Sequence, residues 1–153
     1  MHRFYLLIRK IYTLLFKISL KQKLLYLEAF ILTGIMRYKI LKVPFNKLKE
    51  ELGTYNTEST REVSSEEYKI VKNIRGVVIH ISKHTPWESL CLVQATTVQK
   101  MLKKRGISST IYLGVNKDKT NDEMKAHAWI RCGEMYVTGG NGTGYATVAK
   151  FSN

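Results

Sequence analysis

Two cysteines, two prolines and only 12 acidic residues stand in a chain of 153. Each scarcity closes off a class. Cys91 and Cys132 cannot build the multi-bridge framework on which a small disulfide-stapled scaffold depends. Long apolar runs are missing too. The longest clean one, Ala29–Met36, is far short of the roughly 20 residues that span a bilayer. The stretch Met1–Leu20 is apolar, but Arg9, Lys10 and Lys17 interrupt it and no small-residue cleavage site follows, so it does not read as a signal peptide. The expectation is a cytoplasmic protein, with peripheral membrane contact as an addition.

The lack of acid leaves a net charge of +13, and it is unevenly placed. Residues 1–50 carry 11 Lys/Arg against 2 Glu, a net +9, and the remaining 103 residues carry +4. An apolar, basic first third suits an acidic protein or peptide, or an anionic membrane surface. No zinc-finger spacing or aromatic RNA-binding motif accompanies the charge, so nucleic acid is not an expected partner. The length suffices for one domain with a real core.

Periodicity divides the chain into helices first and strands after. Phe4, Leu7, Ile8, Ile11, Leu14, Leu15 and Ile18 repeat at helical spacing. Ser19 with Gln22 makes a capping box for a second helix, which carries Leu24, Leu27, Ile31, Ile35 and Ile40 and ends before Pro44. Asn46 is the expected cap of a short third helix closed by Gly53. Residues 54–65 are polar and aperiodic and read as a linker. Ser64 with Glu67 opens another helix, with Val71, Ile74, Val78 and Ile81 on one face, ending near His84. Then the period changes to two. Strands are expected over 108–115, 124–132, 135–138 and 146–151, with a tight turn at Gly133-Glu134 and a glycine-rich loop over 139–144. The layout is α+β: a helical part over 1–53, a linker over 54–65, and a mixed domain over 66–153.

Chemistry concentrates at Thr85-Pro-Trp-Glu-Ser-Leu-Cys91. Thr85 as N-cap, Pro86 at the first helical position and Glu88 closing a capping box predict a helix entry, with Cys91 in its second turn. The positive end of a helix dipole favours a thiolate. Ala126-His127-Ala128-Trp129 lies in a strand. A cysteine on a helix and a distant histidine on a strand make a nucleophile and base, with His127 deprotonating Cys91 and later protonating the leaving amine. A third group should orient His127. Counting outwards from Gly133-Glu134, His127 faces Gly140, or Gly139 after a one-residue slip, where an Asp would be expected. Asn141, a backbone carbonyl and Asp122 are the remaining candidates. Trp87, one turn before Cys91, is a candidate wall of the substrate cleft or an ordinary core tryptophan, and Trp129 is a candidate substrate contact. His80, His84 and Cys91 allow a zinc reading, but they lack both the paired short ligand spacings of structural sites and a nearby catalytic Glu.

In Thr85-Pro-Trp-Glu-Ser-Leu-Cys-Leu92, Arg105-Gly-Ile-Ser-Ser-Thr-Ile-Tyr-Leu-Gly-Val115, Ala126-His-Ala-Trp-Ile-Arg-Cys-Gly133, Val137-Thr-Gly-Gly140 and Ala146-Thr-Val-Ala-Lys-Phe151 the chain resembles the lasso peptide leader peptidases. These are small bacterial maturation enzymes with a transglutaminase-like, papain-like fold. The resemblance runs from about residue 64 to the end. It implies a cysteine peptidase that removes the leader from a ribosomally made precursor, with Cys91 as nucleophile and His127 as base. It implies no cofactor and no metal for that step. The implied partners are the precursor leader peptide, a separate leader-recognition protein and an ATP-dependent cyclase similar to asparagine synthetases. The family's third member, an Asp, would fall near Gly139, where this sequence departs. A preference for Thr at the penultimate leader position, also implied, calls for a small pocket near Cys91. Two other readings remain: acyl transfer to an amine through the same thioester, and a binding module in which residues 1–50 dock an acidic partner or membrane.

Overall fold

The computed structural model describes residues 18–117 and 123–153. Most of the first amphipathic repeat, and Asp122, lie outside the described residues. The described helices are α1 (Leu20–Lys42), α2 (Phe45–Glu51), α3 (Ser65–Ser82) and α4 (Cys91–Lys103). The strands are β1 (Thr54–Tyr55), β2 (Thr110–Lys117), β3 (Met124–Cys132), β4 (Met135–Thr138) and β5 (Ala146–Ser152). They form one antiparallel sheet in the order β1-β5-β2-β3-β4.

Side-chain caps open two of the four described helices. The Ser64 hydroxyl accepts from Glu67 N while the Glu67 carboxylate accepts from Ser64 N, the full capping box expected for α3. At α1 only half the box forms. Ser19 Oγ accepts from Gln22 N, but the Gln22 amide is turned away to a two-way exchange with Asn73 of α3. Pro44, not Asn46, precedes α2.

The core is continuous from α1 to the sheet. Leu25 and Ala29 of α1, Val71, Ile74 and Val78 of α3, and Ala95, Val98 and Leu102 of α4 pack with Ile111, Ala128, Ile130 and Phe151. Along β3, Ala128, Ile130 and Cys132 enter this core, and His127, Trp129 and Arg131 alternate with them. No division into a helical part and a separate domain is visible in that packing.

Residues 54–65 are not a free linker. Thr54 and Tyr55 pair with Ser152 and Phe151 of β5. Ser59 N donates to Thr110 Oγ1 at 2.8 Å, and Arg61 reaches Glu134. The main anchor is Arg131, 1% exposed. Its guanidinium donates to Tyr112 Oη, the carbonyls of Gly133 and Ser59, and Glu58 Oε2. A polar loop needs such partners for its backbone groups, and a sheet edge with a buried guanidinium supplies them.

Arg131→Ala is expected to cost about 3–5 kcal/mol of stability, because it leaves the buried Tyr112, Gly133 and Ser59 acceptors without their donor, while Glu58 keeps Lys150. Urea unfolding measures it, and a loss under about 1 kcal/mol would show that the loop holds without the anchor. Lys150, donating to Glu58 at 3.0 Å, keeps that carboxyl below its ordinary value with help from Arg131. A depressed carboxyl contributes stability above its unfolded value, and that contribution is lost as pH falls through the folded one.

One face of α1 is uncovered among the described residues. Leu20, Leu24, Leu27 and Ile31 are each at least half exposed. Leu24, Leu27 and Ile31, with Ile70 of α3, line a groove of about 1110 Å³ that also carries Lys21, Lys69 and Lys104 beside Glu28 and Glu66. None of the described helices is long and apolar enough to cross a membrane.

Candidate active site

Cys91 is the first residue of α4, not a member of its second turn. The expected entry at Thr85 fails because its cap partners are taken. Thr85 Oγ1 donates to the Trp87 carbonyl at 2.8 Å and bonds to Ser89 Oγ at 2.9 Å, closing a local turn. The Glu88 carboxylate goes to Arg37 of α1 at 2.7 Å instead of completing a box. Leu90 then serves as N-cap with no side-chain bond, and Gln94 N returns to its carbonyl. The amides of the first turn are therefore free of intrahelical partners around the Cys91 thiol, which is half-buried. Developing negative charge is favoured there.

His127 lies on β3 opposite Gly114 of β2. Its Nε2 lies 2.7 Å from the Gly139 carbonyl oxygen. A carbonyl only accepts, so Nε2 carries the proton and Nδ1 of the neutral ring is the available base. The imidazole also lies against two aromatic rings. Trp129 is stacked with it at a centroid distance of 5.9 Å, and Tyr145 is tilted against it at 4.9 Å. No hydrogen bond joins the Cys91 thiol to the His127 ring among the described residues.

The hydrogen bond sought from Asn141 is made by the Gly139 carbonyl. Asn141 Oδ1 instead accepts from Thr143 N and Oγ1, closing its own turn. The missing Asp has a geometric cause. Gly139 has φ +78°, and a Cβ there would stand 2.3 Å from the Ala128 carbonyl oxygen and 2.8 Å from Trp129. Only glycine fits, and the turn aims the backbone carbonyl at the imidazole.

The two tryptophans are packed residues. Trp129 is 4% exposed and stacks on Tyr112 at 5.6 Å, so it supports His127 rather than offering a surface to substrate. Trp87 lies against α1, with Phe30 at 5.0 Å and the Gly34 backbone close beneath its ring. Its Nε1 is buried without a partner among the described residues. His80 and His84 stack at 4.5 Å, and His84 Nδ1 is bonded to the His80 carbonyl. These rings do not converge on a metal position, and no cluster of three metal-ligating side chains exists among the described residues. Tyr145 was not legible as a site residue. Its one signal is an aromatic ring at the far end of the glycine-rich loop.

The two thiols differ in kind. Cys132 is 1% exposed, donates to the Ser108 carbonyl at 3.2 Å, and is pushed up to about 11 by burial. At pH 8 it stays a thiol, and the thiol is a poor nucleophile. Iodoacetamide should therefore add one group to the native chain, at Cys91, and two after denaturation. Intact mass reads this directly, and two groups on the native chain would contradict the burial.

The fold and these side chains define a class: an α+β domain with a cysteine at a helix start and a histidine on the adjoining antiparallel sheet. A family model described as the transglutaminase-like superfamily matches residues 42–151. The chain belongs to that superfamily, which includes cysteine peptidases and acyltransferases and is typically enzymatic through cysteine. No curated protein and no solved structure matches.

Proposed function

We propose that this chain is a cysteine peptidase that removes the leader from a ribosomally made lasso peptide precursor. The observation that carries the hydrolase reading is the His127–Gly139 pair: a fixed Nε2–H leaves Nδ1 as the base for a thiol. In the proposed reaction Nδ1 takes the Cys91 proton as Sγ attacks the scissile carbonyl carbon. Amides of the first α4 turn, that of Cys91 among them, stabilise the oxyanion. The imidazolium protonates the leaving amine, and a thioester remains on Cys91. Water, deprotonated by Nδ1, hydrolyses the thioester and frees the leader carboxylate and the thiol. Catalytic hydrogen bonds are often open in a free enzyme and tighten with substrate, so in this reading the Cys91–His127 hydrogen bond forms when the precursor binds.

The lasso assignment rests on the sequence resemblance, above all Ala126-His-Ala-Trp129 and Val137-Thr-Gly-Gly140 in their order. We take the apolar groove on α1 as the docking face for a leader-recognition protein. In this reading the cyclase acts afterwards, on the freed core.

Reconstitution with a precursor bearing Thr at the penultimate leader position, together with the recognition protein, tests the reading. The expected products are two peptides whose masses sum to the precursor plus one water. An amine adduct on the leader fragment would establish acyl transfer instead, and an intact precursor would overturn the assignment.

A further inference from the structure

We propose that Tyr145 is a positioning residue, which with Trp129 and the Gly139 carbonyl clamps the His127 ring in place of the missing carboxylate. This rests on the reading of His127 as the base. A triad carboxylate both fixes the imidazole tautomer and holds the ring plane. Here the acceptor is a neutral carbonyl, a weaker partner than an ion. The ring needs further restraint, and the glycine-rich loop supplies it from both of its ends. Gly139 gives the acceptor at one end, and Tyr145 lies against the imidazole at the other, 4.9 Å between centroids. Trp129 adds the third contact at 5.9 Å.

The surrounding glycines are shaped to this arrangement. Gly114 stands opposite His127 on β2. A Cβ there would come 2.7 Å from the Trp129 ring and 3.0 Å from Tyr145 Cβ, so the indole and the root of the Tyr145 side chain occupy the space it would take. A Cβ on Gly142, where φ is +74°, would stand 2.4 Å from the same indole. Two residues with no side chain thus leave room for the indole, and one of them also for Tyr145, beside the histidine. Aromatic faces also favour a cation, and the imidazole becomes one when it takes the thiol proton.

The test compares Tyr145→Leu with Tyr145→Phe. The first readout needs no substrate: the ¹⁵N shifts of the neutral His127 ring at alkaline pH report its tautomer. Wild type and Tyr145→Phe should show a single Nε2–H tautomer, and Tyr145→Leu a mixture. The second readout is cleavage kinetics. Tyr145→Leu should lower kcat roughly tenfold with KM little changed, and Tyr145→Phe should restore it. If Tyr145→Leu does not fold, Tyr145→Met fills the volume without a ring and takes its place. An unchanged tautomer in the folded ring-free variant would overturn the clamp, as would a rise in KM with kcat intact. A shifted tautomer with unchanged kcat would leave the clamp standing and overturn the base assignment.

Discussion

Cys91→Ala should remove leader cleavage down to background, a loss on the order of 10⁶-fold by the scale of other nucleophile deletions. The size follows from covalent catalysis. Without Sγ there is no thioester, and water must attack an amide directly with only positioning and oxyanion donors to help it. The fold should survive. Cys91 is half-buried at a helix end and packs only at the margin of the core, so deleting one sulfur costs about 1 kcal/mol or less. The variant therefore separates chemistry from structure. Its melting temperature should match wild type, as should its binding to the proposed recognition protein, while the precursor stays intact. Cys132 provides the internal control. It is the other thiol of the chain, it lies in the core, and Cys132→Ala should cost stability without touching the chemical step. Undiminished cleavage by Cys91→Ala would move the nucleophile elsewhere and end the peptidase reading as framed.

The parts legible in the sequence were those written by local rules. The β3–β4 hairpin follows from Gly133-Glu134 between two alternating runs, and α3 from the reciprocal Ser64–Glu67 box. Two of the failures share a physical cause: a local signal outbid by a partner far along the chain. Thr85 and Glu88 have the right spacing for a cap, but Arg37, 51 residues away, takes the carboxylate, and the helix waits until Cys91. Residues 54–65 are polar because they answer Arg131 and the edge of β5, and polarity alone cannot tell such a strap from a linker. At the site, counting along the hairpin reaches Gly140, or Gly139 after a slip; the β3–β4 ladder shifts register and ends at Ile130–Thr138, and the imidazole meets the Gly139 carbonyl beyond it. The sequence leaves Asn141, Asp122 and a backbone carbonyl open as the acceptor, because φ > 0 at a glycine, which aims the carbonyl here, leaves no mark beyond the glycine itself.

Gly139 makes the second large prediction, and it runs against intuition. Placing an Asp at 139, where the resemblance to the leader peptidases implies one, should lower the proposed activity rather than raise it. Any Cβ there meets the Ala128 carbonyl oxygen at 2.3 Å and the Trp129 backbone at 2.8 Å, in a left-handed conformation that L side chains avoid. Both Gly139→Ala and Gly139→Asp should lose at least about 2 kcal/mol of stability. The relief of that overlap must move the 139 carbonyl, so the His127 ring loses its acceptor, and cleavage should fall about 10²-fold. Gly140→Ala is the matched control. Its φ is also positive, +68°, but a Cβ there meets nothing within 4 Å. It should carry only the conformational cost, about 1–2 kcal/mol, with cleavage near wild type. Thermal melts and kcat/KM on the three variants decide the matter. If Gly139→Asp melts like wild type and cleaves faster, then the side-chain carboxylate has taken over the imidazole, and the backbone carbonyl is not the group that orients this histidine.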